Sequence, residues 1–145
     1  MDRKRLTQRF PFLLPMRRAQ RKMCFYAGMR FDAYSPKALR ASMGALLRLP
    51  VIELESIEEI LSVSSENGIA SYAGVVSGEA ARITDVDFSG GALIMVGNEG
   101  HGLSAAAVAG ADRKIYIPMS EKTESLNAAA AASIMMWESR RRFLK

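Results

Sequence analysis

The sequence predicts an α/β fold, a mostly parallel sheet with helices on both faces, and three observations carry the prediction. The run Ala92-Leu-Ile-Met-Val96 lies between Gly90-Gly91 and Gly97. Continuous apolar runs of this length read as strands buried on both faces, the habit of a parallel sheet covered by helices. Strand-like and helix-like segments alternate from residue 35 to the C-terminus, the order expected of an α/β sheet. Two helix starts are written in the local chemistry. Ser35-Pro36 is an N-cap with proline at the first helical position, and Ser56-Ile-Glu-Glu59 is a capping box.

Taken in order, residues 1–30 show no sustained period, and Pro11 and Pro15 break their only apolar cluster. They are expected to form a basic, poorly structured N-terminal segment, with 31–145 as the folded domain. The first helix places Leu39, Met43, Leu46 and Leu47 on one face and stops at Leu49-Pro50, so it is expected to pack on the sheet. Val51-Ile-Glu-Leu54 is a short strand. The helix opened by Ser56 ends at Asn67-Gly68, and 70–76 is the next strand. Residues 80–89, polar and aspartate-containing, cross to the strand 92–96. A turn crowded with Gly97, Gly100 and Gly102 follows, then a helix over 104–109 capped by Ser104 and closed by Gly110. A strand over 114–117, a loop over 118–124 and a helix over 125–143 complete the chain. Leu126, Ala130, Ile134 and Trp137 form one stripe of that last helix, either core or a dimer face.

At 145 residues the chain fits one domain. Its net charge of +5 is unevenly spread: Lys and Arg outnumber acids by nine to one in residues 1–30 and trail them by eleven to fourteen thereafter. The basic arm suits either phosphate neutralisation on RNA or a solvated tail. One cysteine, Cys24, and one histidine, His101, leave no disulfide and no thiol/imidazole metal set, consistent with a reducing cytoplasm. No apolar run approaches the roughly 18 residues of a membrane span. The stretch Phe10-Pro-Phe-Leu-Leu-Pro15 is too short and too interrupted for a secretory signal.

A strand that ends in a glycine-rich turn lets a ligand approach bare backbone. The spacing here is G-x-x-G-x-G, not the dinucleotide G-x-G-x-x-G, so by itself it reads equally as a tight turn. A generic nucleotide-binding α/β domain is the reading that rests on this feature alone.

The ordered set Val96-Gly-Asn-Glu-Gly-His-Gly-Leu103, Ile117-Pro-Met119 and Glu124-Ser-Leu-Asn127, the last opening an alanine-rich helix, resembles two signature motifs of the SpoU (TrmH-like) RNA ribose 2′-O-methyltransferases of the SPOUT superfamily. Tyr34-Ser-Pro-Lys-Ala-Leu-Arg-Ala-Ser-Met-Gly44 resembles the family's segment ahead of this region, so the likeness runs from about Phe31 to the C-terminus. The resemblance implies a C-terminal trefoil knot, S-adenosylmethionine as cofactor, tRNA or rRNA as substrate, a homodimer, and neither a metal nor a membrane partner. It also implies Gly97, Ile117 and Leu126 as cofactor contacts. Asn98, Glu99, Ser125 and Asn127 would be the polar set around the reacting ribose. Glu99 reads equally as an organiser of its own loop, and Ser125 as the cap of the last helix.

One departure stands out. The family carries an earlier motif, approximately Asn-x-Gly-x-x-x-Arg, on its first strand–helix unit, and its arginine is held to act on the ribose hydroxyl or phosphate. No such string occurs here, and Met16-Arg-Arg-Ala-Gln-Arg-Lys-Met-Cys-Phe-Tyr-Ala-Gly28 stands in that region. The expectation is an N-terminally truncated or frame-shifted member that retains the cofactor half. Two functions follow: ribose 2′-O-methylation of tRNA or rRNA, or a catalytically inactive cofactor-binding or dimerising fragment that associates with RNA.

Overall fold

The computed structural model describes residues 24–27, 34–48, 51–76, 79–98, 100–120 and 125–141. The chain divides into two compact units, Met1–Glu55 and Ser56–Lys145, a boundary some 25 residues beyond the change in charge at residue 30.

In the first unit, strand β1 (Cys24–Ala27) pairs in parallel with β2 (Val51–Leu54), Cys24 opposite Val51 and Ala27 opposite Leu54. A strand thus lies within the stretch where the sequence shows no period. Between the two strands, Ser35 caps α1 (Pro36–Ala41) by accepting the Ala38 N–H at 3.3 Å. The helix is shorter than its apolar spacing suggests. Ser42 turns its hydroxyl back onto the Leu39 carbonyl at 2.9 Å, and Met43 and Gly44 both adopt positive φ, 49° and 80°. Left-handed backbone ends an α-helix, and a separate 3₁₀ turn, Ala45–Leu47, follows. Met43 and Leu47, expected on a packed face, are exposed.

The second unit is a four-stranded, wholly parallel sheet. Helix α2 (Ile57–Glu66) starts where its capping box requires, with Ser56 Oγ accepting the Glu59 N–H at 3.2 Å, and ends at Asn67 and at Gly68, whose φ is +66°. Then come β3 (Ala70–Gly74), β4 (Ala81–Arg82), β5 (Ala92–Met95), α3 (Ala105–Gly110), β6 (Arg113–Tyr116) and α4 (Ala128–Arg140). The strand order is β4-β6-β3-β5. The strand expected to be doubly buried, β5, is therefore at the edge of this sheet and only its Met95 is buried, whereas Ser71, Tyr72 and Ala73 of β3 are all buried. Runs of apolar residues do not reveal strand order, and β3, the central strand, has the more mixed sequence Ala-Ser-Tyr-Ala-Gly.

Side chains alternate across the sheet. One face gathers Tyr72, Ile83, Val86, Phe88 and Ile115 with Met135 of α4, and the Tyr72 and Phe88 rings lie 4.9 Å apart. The other gathers Ala73 and Met95 with Ala107 of α3 and with Ile57 and Leu61 of α2. Helices thus cover both faces. The segment expected to be a polar crossing contributes β4, a 3₁₀ turn (Ile83–Asp85) and three core residues, Ile83, Val86 and Phe88. Its polar residues had masked an alternation that faces inward.

Buried Ser71 is satisfied by the start of β6. Its N–H and Oγ both donate to Asp112 Oδ2 at 2.7 Å, and Asp112 N–H returns a bond to Ser71 Oγ at 3.0 Å. These bonds, the backbone one foremost, hold the Asp112 carboxyl below its usual range. They also fasten β6 beside β3, with Tyr72 opposite Arg113 and Gly74 opposite Ile115. On its far side β6 meets β4, Ala81 opposite Ile115. The strand formed last in sequence therefore lies between β3 and β4, which are joined to each other only by residues 75–80.

Candidate functional site

Parallel strands bring their carboxyl ends to one side of a sheet, where α/β proteins bind ligands. Here the ends of β3, β5 and β6 and the start of α4 line a solvent-open cavity of about 530 Å³, inside the usual range of roughly 300–1,000 Å³ for small-molecule sites. Gly74, Val75 and Val76 line it from β3, Val96, Gly97 and Asn98 from β5, and Ile117 and Met119 from the segment after β6. Ser125 and Leu126 close it with Asn127, Ala128, Ala131 and Met135 of the α4 region.

The glycine loop is built by close approach. A Cβ on Gly97 would run into the Gly102 carbonyl group and the Leu103 nitrogen, all main-chain atoms, so no other residue fits there without moving backbone. Gly102 takes φ +67° and donates its N–H to the Asn98 carbonyl at 3.0 Å, closing the loop. Asn98 Oδ1 accepts the N–H of Gly100 at 3.0 Å and of His101 at 2.7 Å. Across the cavity, Asn127 Oδ1 accepts the N–H of Ala129 at 3.0 Å and Ala130 at 3.2 Å. The helix therefore starts at Ala128 and is capped by Asn127, not by Ser125 as the residue type alone suggested. Released from capping, Ser125 is exposed on the cavity wall.

The three residues expected to contact the cofactor, Gly97, Ile117 and Leu126, do meet in one cavity although they come from separate segments. Of the polar set, Asn98, Ser125 and Asn127 line the same cavity, while Glu99 lies outside the described residues. The oxygens of Asn98 and Asn127 hold backbone, which makes these amides organisers of the two loops. Among the described residues that line the cavity, none carries a titratable side chain. A cation stands at the carboxyl end of β4, where Arg82 Nε donates to the Tyr116 hydroxyl at 3.0 Å, and that bond raises the guanidinium pKa above its ordinary value.

Sequence reasoning missed the cavity's floor. Gly74 ends the central strand, and a Cβ there would come within 2.7 Å of Met135 Cε. Met135 is 4% exposed. A glycine at the end of a strand was the available signal; its partner, 61 positions along the chain, left none. The stripe Ile134–Trp137 turns outward, with Trp137 62% exposed, and α4 reaches the core through Met135 instead.

A parallel α/β unit with a cavity at the carboxyl ends of its strands has the arrangement in which α/β proteins bind small ligands. The match to known proteins narrows this: residues 19–137 fit the model of the SpoU rRNA Methylase family, and the chain belongs to that family. An uncharacterised tRNA/rRNA methyltransferase of Synechocystis is 34% identical over 110 residues, 76% of this chain and 40% of that protein. The 23S rRNA (uridine(2479)-2′-O)-methyltransferase of Streptomyces viridochromogenes is 34% identical over 116 residues, 77% of this chain and 40% of that protein. Among solved structures, the AdoMet-bound rRNA methyltransferase of Sinorhizobium meliloti superposes with a TM-score of 0.78 at 27% identity, over 85% of this chain and 47% of that one. The chain thus spans about 40% of the length of these two curated relatives. A different protein matches a short stretch: the vancomycin B-type resistance protein VanW of Enterococcus faecalis is 91% identical over 32 residues, 22% of this chain and 12% of that protein.

Proposed function

We propose that the cavity binds S-adenosylmethionine and that this half-domain serves ribose 2′-O-methylation of tRNA or rRNA. The observation that carries the reading is the convergence of Gly97, Ile117 and Leu126 on one cavity, with Gly97 pressed against the Gly102–Leu103 backbone. The fit is chemical as well as spatial. Aliphatic walls from Val96, Ile117 and Leu126 suit the faces of an adenosyl group, and main-chain amides and carbonyls of the loops suit its polar edge without a flexible side chain. Ala128 and Ala131 leave room on the helix side. Bound there, S-adenosylmethionine supplies an electrophilic methyl group. The chain's own residues orient and enclose: Asn98 fixes the glycine loop, Asn127 fixes the start of α4, and Ser125 presents a hydroxyl at the wall.

Among the described residues of the lining none is titratable, and the sequence lacks the family's arginine motif. These two facts favour a second reading, a cofactor-binding fragment without turnover, which associates with RNA through its basic N-terminal arm. The placement of β6 between β3 and β4 supports a knotted path at the C-terminal end. The outward stripe with Ile134 and Trp137 is the surface a second copy would cover in a homodimer.

Calorimetric titration of the chain with S-adenosylmethionine tests the first claim, beside Ala131→Phe, which fills the cavity from a helix position. Saturable binding that the substitution abolishes supports the site. A folded chain that shows no saturable binding, or binding indifferent to Ala131→Phe, overturns it. Transfer of labelled methyl groups to rRNA or tRNA separates the two readings: turnover supports the enzyme, and binding without turnover supports the fragment.

A further inference from the structure

We propose that Lys114, Tyr116 and Arg82 form a track for the sugar–phosphate backbone of single-stranded RNA, leading to the carboxyl edge of the sheet where the cavity opens. This rests on the reading of RNA as the substrate and adds where on the fold that RNA lies.

Strand register places the three side chains together. Arg82 of β4 stands opposite Tyr116 of β6, and partners in register project to the same face of a sheet. Lys114, two residues before Tyr116, projects to that face as well. Ile115 between them is buried in the core on the α4 side, so the trio lies on the opposite face. There α2 and α3 pack against Ala73 of β3 and Met95 of β5, and no described residue of β4 or β6 joins that cluster. The outer half of the face is therefore open: Arg82 and Lys114 are exposed and Tyr116 is half-buried. Tyr116 immediately precedes Ile117, which lines the cavity.

The hydrogen bonding selects an oxyanion as ligand. Arg82 Nε donates to the Tyr116 hydroxyl oxygen at 3.0 Å. A guanidinium has no acceptor, and this bond occupies the phenol oxygen, so what the pair offers outward is donors. Among the described residues, neither the terminal guanidinium nitrogens nor the phenol proton has a partner. Asp85, whose charge is felt at Arg82, accepts instead from Thr84 Oγ1 at 3.0 Å and forms no ion pair with the guanidinium. Phosphate oxygens match a guanidinium held in this way beside a hydroxyl donor. The tyrosine ring adds a surface on which a base stacks. Lys114 adds a second point charge about 7 Å along the strand, a stride suited to successive phosphates of an extended chain.

Charge distribution singles out the same place. Residues 56–111 hold seven Asp and Glu and a single Lys or Arg, which is Arg82. The next cations along the chain, Arg113 and Lys114, open β6 beside it. A polyanion is thus repelled by most of the surface that this stretch provides and drawn to the β4–β6 side.

Anisotropy of a fluorescent single-stranded oligoribonucleotide, titrated with the full chain from low to high salt, tests the track. The unaltered protein is compared with Arg82→Gln, Lys114→Gln, Tyr116→Phe and Arg113→Gln. Arg113 is exposed and neighbours Lys114, but it pairs with Tyr72 on the α4 face, so its substitution removes the same charge from the other side of the sheet. Arg82→Gln is expected to weaken binding about tenfold at low salt. It should also reduce the slope of log affinity against log salt by about 0.7, the value for one phosphate contact on a single strand. Lys114→Gln should lower the slope similarly, Tyr116→Phe should weaken binding with the slope kept, and Arg113→Gln should change affinity by less than about twofold. A cross-strand pair that only joined β4 to β6 would lower the melting temperature on substitution and leave the salt slope unmoved. Slopes unchanged in Arg82→Gln and Lys114→Gln, or Arg113→Gln as damaging as either, overturn the track and leave the RNA reading standing. An unaltered chain that binds no RNA overturns both.

Discussion

Replacing Gly97 by alanine tests the close approach on which the cavity depends, because the three glycines of its loop differ in kind. At Gly97 the new methyl would overlap the Gly102 carbonyl carbon and the Leu103 nitrogen and lie 2.5 Å from the Gly102 oxygen. Overpacking costs about 1–3 kcal/mol where side chains can shift, and here the obstacle is main chain. Separating the two strands of the loop also threatens the 3.0 Å bond from Gly102 N–H to the Asn98 carbonyl, worth roughly 1 kcal/mol. The sum is about 2–4 kcal/mol, which at about 4 °C per kcal/mol for a chain of this size lowers the melting temperature by roughly 8–16 °C. Gly102 has open space around a Cβ but φ +67°, so alanine there costs only about 1–2 kcal/mol. Gly100 meets nothing closer than Asn98 Oδ1 at 3.8 Å, and alanine should change stability by less than about 0.5 kcal/mol. Thermal unfolding followed by circular dichroism, with S-adenosylmethionine titrated into each variant, gives the ranking. Equal stability of Gly97→Ala and Gly100→Ala would refute the geometry of the loop.

Substitutions at four further positions probe the surrounding contacts. Asn98→Ala should destabilise the loop by about 1–2 kcal/mol through two lost acceptor bonds and weaken cofactor binding. Asn98→Asp keeps the acceptor oxygen and should retain both, as calorimetry and melting would show. Asn127→Ala removes the cap of α4 at a cost of about 1 kcal/mol, whereas Asn127→Asp should leave the melting temperature nearly unchanged. Gly74→Ala should push Met135, now 2.7 Å from the new Cβ, into the cavity; a loss of cofactor affinity larger than the loss of stability would show it, and unchanged affinity would count against it. The Asp112 carboxyl is held below its usual range first by the Ser71 N–H and then by the Ser71 hydroxyl. A depressed folded pKa contributes stability above the unfolded value of about 3.9 and loses it as pH falls through the folded value. Asp112→Asn should therefore melt lower at neutral pH, by no more than about 1–2 kcal/mol given the exposure of the group. The gap should close below about pH 4; a gap independent of pH would exclude the ionised carboxylate as its source.

The family and the parallel α/β class were legible because both are carried by short, ordered strings. The same is true of helix starts, where a serine and the amide three residues on decide the geometry between them: Ser35, Ser56 and Ser104 all cap as read. At the last helix the local rule misled, since serine and asparagine are both good caps and stand two positions apart. Ser125 and Asn127 compete, and the bonds from Ala129 and Ala130 show that Asn127 wins. Glu99 falls outside the described residues, and its role stays with the resemblance alone.

What the sequence determined by itself is what neighbours in the chain can determine: strand, glycine turn and capped helix in order, and the two-faced covering of the sheet. Tertiary structure alone decided the rest. It set β5 at the sheet edge and β6 between β3 and β4, turned Ile83, Val86 and Phe88 inward from a polar segment, and brought Met135 under Gly74 while leaving Trp137 outside. The reason is physical. Caps and turns are fixed by hydrogen bonds that span three or four residues, whereas strand order and the helix face that is buried depend on pairings such as Ser71 with Asp112, 41 residues apart, whose energies no local pattern records.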